Sequence, residues 1–100
     1  MDPQRLTVVA IFVPKSGRAE ELATALRAMV APTRREEGCL NYDLHSANDE
    51  SGLLFFHETW ASADHHRAHL GTPHVRHLLT MTPDLLAEPI RELKGTRIEP

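Results

Sequence analysis

The chain has 100 residues, a net charge of −3, 41% hydrophobic residues and 25% charged residues. That length predicts one domain over residues 1–100 with a modest core of its own, and the acidic balance leaves no basic footprint for nucleic acid. Cys39 is the one cysteine; it has no partner for an internal disulfide, which fits a reducing cytoplasm. The apolar run in MDPQRLTVVAIFV is too short for a membrane span and lacks a cleavage-type ending.

In chain order, Leu6–Val13 (LTVVAIFV) is apolar on both faces and rich in β-branched residues, the pattern of a buried strand. Pro14 to Gly17 is a turn, with Ser16 placed to cap a helix that carries Glu20 and Glu21 in its first turn. Ala19, Leu22, Ala23, Leu26, Met29 and Val30 recur at helical period. Pro32 is expected to kink or end that helix. Arg34-Arg35-Glu36-Glu37 reads as a solvated charge run, closed by Gly38 at a position suited to positive φ.

Cys39–Ser46 is the second strand, with Leu40, Tyr42 and Leu44 on one face and Cys39, Asn41, Asp43 and His45 on the other. Turn residues at 47–52 join it as a hairpin to a third strand, Leu53–Trp60. Ser62 caps a short helix, Ser62–Leu70, broken at Gly71. Thr72-Pro73 starts a second helical piece reaching about Leu86, which Pro83 is expected to end early or kink. Pro89–Ile98 is a half-polar last strand, expected at an edge because Gly95 interrupts it.

The order β-α-β-β-α-β predicts an α+β, ferredoxin-like fold: an antiparallel four-stranded sheet with helices on one face. Helices then cover one face only, while the first strand is apolar on both. The uncovered face exposes a patch larger than soluble monomers tolerate. Pairing with a second copy covers it, so a homodimer with two sheets face to face is expected.

The stretch Phe55 to His74 holds the only tryptophan and five of the seven histidines. Strand alternation puts Leu54, Phe56, Glu58 and Trp60 on one face. A carboxylate between two aromatics on a buried face is costly unless paired or protonated. His66 and His69 follow near the inward side of the helix, while His65 faces solvent.

Glu37-Gly38-Cys39-Leu40-Asn41-Tyr42, Phe56-His57-Glu58-Thr59-Trp60, and His66, His69 with Thr72-Pro73-His74 together resemble the antibiotic biosynthesis monooxygenase family, closest to its small quinol monooxygenase branch. The resemblance spans about Leu6 to Leu93. It implies a dimeric α+β barrel with an apolar pocket between sheet and helices. It also implies oxidation of electron-rich aromatics (quinols, anthrones, polyphenols) by O2 with no cofactor and no metal.

Such chemistry has a physical logic: a deprotonated phenol or anthrone passes an electron to O2 itself. The protein must bind the ring, remove a proton and stabilise the anion. His66, His69 and His74 are candidates for base or donor, and Asn41 and Tyr42 for donors to a substrate oxygen. Trp60 and Phe56 suit stacking on a ring, and Glu58 orients a histidine or holds a proton. The catalytic set is therefore His69, Glu58, His66 and Asn41, and the substrate-binding set Trp60, Tyr42, Phe56 and His74. Each has a plain structural reading too: Trp60 and Tyr42 as core, Glu58 paired with an arginine, His66 and His69 as satisfied helix-face histidines, Asn41 at a bulge or dimer contact. His65 and His69 have an i, i+4 spacing that can chelate zinc, but no further ligand motif accompanies them. Haem-degrading relatives of the fold use an Asn on the first strand, where this chain has Thr7, Val8, Val9 and Ala10. Two other readings of the same pocket stand beside the monooxygenase: an isomerase or tautomerase of a small enolisable metabolite, and a non-catalytic small-molecule binder.

Overall fold

The computed structural model describes residues 4–100; the first three residues of the expected domain lie outside the described residues. Its elements are β1 (Leu6–Phe12), α1 (Ala19–Arg34), β2 (Cys39–Ser46), β3 (Leu54–Trp60), α2 (Ala63–Leu70), α3 (Pro73–Leu85) and β4 (Arg91–Gly95). The strands form one antiparallel sheet in the order β2-β3-β1-β4, the ferredoxin-like α+β arrangement that the element order predicts.

Strand alternation decides what each face carries. Val8, Ala10 and Phe12 of β1 and Phe56 and Trp60 of β3 are buried against Leu22, Leu26 and Met29 of α1 and Val75, Leu78 and Leu85 of α3. Phe12 meets Phe56 edge-on with ring centroids 5.9 Å apart, a favoured aromatic geometry. The other face holds Val9, Ile11 and Phe55, only partly buried, together with Leu93, which is 66% exposed.

Several local details differ from the sequence expectation. A bulge between Cys39 and Asn41 shifts the β2 register, so that Cys39 stands opposite Trp60 and Asn41 opposite Thr59. Cys39 therefore joins the core side with Tyr42 and Leu44, and Leu40, 48% exposed, turns outward. Strict alternation fails here because a bulge places two residues opposite one. Ser16 is not the cap of α1: the helix begins at Ala19, Arg18 flanks it, and no side chain caps it. Ser16 lies too far back to reach the first free N–H groups.

Neither internal proline ends its helix at once. α1 continues two residues past Pro32 to Arg34, and α3 runs through Pro83 to Leu85. Pro83 leaves the Leu79 carbonyl without its helical partner, and the Thr82 hydroxyl donates to that carbonyl instead at 3.3 Å. β4 is an edge strand, as expected, but shorter, and all of it is exposed. Among the described residues no helix is long and apolar enough to cross a membrane.

Candidate functional site

A cavity of about 440 Å³ lies between the sheet and the helices. Its walls are mostly apolar, with Phe12, Phe56, Met29, Val75 and Leu78 among them, and its polar groups are Tyr42, Glu58, His66, His69 and Glu92. Among the described residues no lysine or arginine lines it. A dry apolar cavity of roughly 150 Å³ already admits benzene, so this one has room for a larger aromatic.

Glu58 sits on the floor. It is 3% exposed and accepts the indole N–H of Trp60 at 2.9 Å. Residues i and i+2 of a strand share a face, which is why this pair meets. Burial pushes the Glu58 carboxyl up to about 7, the Trp60 N–H opposing the rise and the negative charges of Glu92 and Glu36 adding to it. At neutral pH it is therefore divided between acid and carboxylate. Tyr42 stacks on Phe56 with centroids 4.2 Å apart. Burial, helped by the Glu58 charge, pushes its hydroxyl well above the ordinary value, so Tyr42 stays a neutral phenol.

The histidines form the opposite wall. Ser62 accepts the His65 backbone N–H and caps α2, which fixes the helix so that His66 and His69 are buried inward. The His69 ring lies 4.7 Å from the Trp60 ring and 5.5 Å from that of Tyr42. Burial lowers the His66 pKa. Burial also lowers that of His69, against an opposing contribution from Glu36. Glu36 Oε2 lies 2.7 Å from His69 Nδ1 and 2.7 Å from His74 Nε2. A carboxylate oxygen can only accept, so both nitrogens carry their protons toward it. His69 is thereby held as the Nδ1–H tautomer, with its lone pair on Nε2.

Of the eight residues singled out from the sequence, five line the cavity: Tyr42, Phe56, Glu58, His66 and His69. Trp60 is fully buried behind them, bonded to Glu58 and packed on His69. His74 lies beside a groove between α1 and α3 and meets the cavity wall through Glu36 and the His69 ring, 6.0 Å away. Asn41 is on the opposite face of the sheet, where its Nδ2 donates to the His57 carbonyl at 3.0 Å and to Asp43 Oδ2 at 3.1 Å. His65 bonds Ser62 Oγ through Nδ1 at 2.8 Å and takes no part in the cavity wall.

Two acidic residues of the site were not singled out. Glu36 belongs to a run of four charges that reads as solvated, and nothing local marks which of them turns inward. The available signal was that two inward histidines need an acceptor. Glu92 lies two residues after Ile90, which also lines the cavity, and extended-chain period two places it on that side.

A profile of the antibiotic biosynthesis monooxygenase family matches residues 5–80. The Mycobacterium tuberculosis protein Rv0793 is 33% identical over 87 residues, spanning 85% of this chain and 83% of its own length. Its solved structure superposes with a TM-score of 0.90, covering 97% of this chain and 98% of that one. PA3566 from Pseudomonas aeruginosa is 32% identical with a TM-score of 0.92, covering 99% of both chains. With that match over three quarters of its length, the chain belongs to the antibiotic biosynthesis monooxygenase family.

Proposed function

We propose that this protein is a cofactor-independent monooxygenase that oxidises an uncharged, hydroxylated, electron-rich aromatic (a quinol, anthrone or polyphenol-like compound) with O2. His69 Nε2 takes the proton of a substrate hydroxyl or of the carbon beside a carbonyl. The resulting anion reduces O2. One oxygen atom ends on the substrate, and the other leaves as water with two hydrogens from the substrate, which supplies all four electrons. Tyr42 and His66 donate to the substrate oxygen, Phe56 packs on the ring, Trp60 holds Glu58, and Glu58 holds or returns the proton. The observation that carries this reading is His69, neutral and oriented by Glu36 on the wall of an apolar cavity. A buried base held by a carboxylate is the arrangement that general-base catalysis requires.

The test is O2 uptake by the purified protein, with chelator present, across hydroquinones, naphthalenediols and anthrones. Uptake above autoxidation is expected, with one atom of labelled O2 in the product. His69→Ala reduces it about 100-fold or more, within the range for losing a general base. No uptake by the folded protein overturns the reading. The paired proton carriers His69 and Glu58 on one cavity would then favour an isomerase or tautomerase of an enolisable metabolite.

The same reading places one domain of this chain in a homodimer in the reducing cytoplasm. Val9, Ile11, Phe55 and Leu93 on the sheet face away from the helices, joined at its margin by the outward Leu40, support pairing between copies.

A further inference from the structure

We propose that Glu36, His69 and His74 form a binding site for one divalent transition-metal ion of the zinc type. The three residues come from the loop after α1, the last turn of α2 and the first turn of α3. The α2–α3 junction sets the two histidines side by side: the Thr72 hydroxyl donates to the His69 carbonyl at 2.8 Å and accepts the Val75 N–H. One ligand atom from each of the three residues lies within 4.8 Å of the others. Their side chains are 14%, 5% and 21% exposed for Glu36, His69 and His74, so little ordered water must be displaced. His74 lies on the open groove between α1 and α3, which gives an ion a route in.

The donor set chooses the metal. Two imidazoles and one carboxylate suit zinc, ferrous iron and their first-row neighbours rather than calcium or magnesium. Three protein ligands leave a position for water or a substrate oxygen. Donors around tetrahedral zinc stand about 3.3 Å apart, so the carboxylate must withdraw about half an ångström from its hydrogen-bonded position. Glu36 is on a loop and can make that shift. The His65–His69 pair suggested by helical spacing is not the site: His69 Nδ1 turns to Glu36, whereas the His65 ring packs over Gly38 and bonds Ser62 Oγ at 2.8 Å.

Occupancy has a chemical consequence that rests on the proposed function. An ion on Nδ1 of His69 moves the ring proton to Nε2, the nitrogen proposed as base. The metal-bound form therefore cannot take the substrate proton, and zinc acts as an inhibitor.

The experiment is calorimetric titration of chelator-treated protein with Zn2+, repeated for His74→Ala, Glu36→Gln and the control His65→Ala. One ion per chain is expected, with affinity at least tenfold weaker in His74→Ala and Glu36→Gln and unchanged in His65→Ala. No saturable binding overturns the site, as does undiminished binding in both ligand variants. If Glu36→Gln fails to fold, His74→Ala, at the more exposed position, decides alone. O2 uptake with and without Zn2+ separates the two proposals. Binding without inhibition keeps the metal site and removes His69 Nε2 as the base, whereas absent binding with intact turnover removes the metal site and leaves the base.

Discussion

Glu58 and Trp60, two residues apart on β3, are joined by an indole N–H···Oε1 hydrogen bond of 2.9 Å with both side chains out of water. The burial of Glu58, opposed by that bond, makes a stability prediction with a definite sign. Burial raises the Glu58 pKa from 4.5 to about 7. Between those values the unfolded chain has lost a proton that the native state keeps, so stability falls as pH rises from about 4.5 to 7. The loss from this group is at most about 3 kcal/mol. Glu58→Gln keeps an acceptor for Trp60 and cannot ionise. The variant should gain on wild type across that window in urea unfolding, and parallel pH profiles would count against a protonated Glu58. Trp60→Phe removes the donor that favours the carboxylate, so its profile should keep falling at higher pH than that of wild type.

Gly38 is glycine for two separable reasons. Its φ is +81°, and a Cβ built there would overlap the His65 ring. Gly17 has φ +79° with open space around it. Gly17→Ala should therefore show the backbone cost alone, about 1–2 kcal/mol, and Gly38→Ala roughly twice that. Adding His65→Ala to Gly38→Ala should recover the excess. Chemical denaturation of the four proteins measures it, and equal losses at the two glycines would remove the contact from the account.

The fold was readable because its signals are local and periodic. β2 spans the residues that its pattern predicts, the hairpin follows from the turn residues of 47–52, and Ser62 and Thr72 cap the helices that their positions predict. What escaped was set by tertiary context. The bulge at Leu40 has no local mark in CLNYDL, and it exchanges the faces of Cys39 and Leu40. Five cavity residues follow from strand and helix periods together with the family resemblance, but Glu36 meets His69 across 33 positions of sequence. A contact of that range leaves no periodic trace, so the carboxylate that orients His69 reads locally as one more surface charge.

The outer sheet face makes the prediction about assembly. Leu93 is 66% exposed and pairs in register with Val9, which is partly exposed on that same face. A face of this kind left in water would be an aggregation liability. Wild-type protein should sediment as a dimer, near twice 11.2 kDa. Leu93→Asp should shift it to monomer while leaving the far-UV spectrum intact, because Leu93 contributes little to the chain's own core. A wild-type monomer at micromolar concentration would refute the pairing.

Charge should sort the substrates. Glu58 and Glu92 face the cavity, no lysine or arginine lines it among the described residues, and Lys94 reaches Glu92 only at 3.9 Å, on the solvent side. Glu92 also adds to the rise in the Glu58 pKa, which places the two carboxyls within electrostatic reach of each other. A substrate anion about 6 Å from one such carboxylate meets a repulsion of about 3 kcal/mol at an effective dielectric near 20. The Glu92 side chain is 31% exposed and 3.9 Å from Lys94 Nζ, so the working penalty is nearer a factor of ten in kcat/KM. Neutral naphthohydroquinones should accordingly outpace their sulfonated or carboxylated analogues by about tenfold. Glu92→Gln should narrow the gap chiefly through the KM of the anionic compound, leaving kcat for the neutral one in place. Phosphorylated substrates should be poorer still, since they carry more charge into the same acidic cavity. Equal kcat/KM for neutral and anionic quinols in the wild type would mean that the substrate's charged end lies outside the cavity, and that Glu58 and Glu92 do not set its specificity.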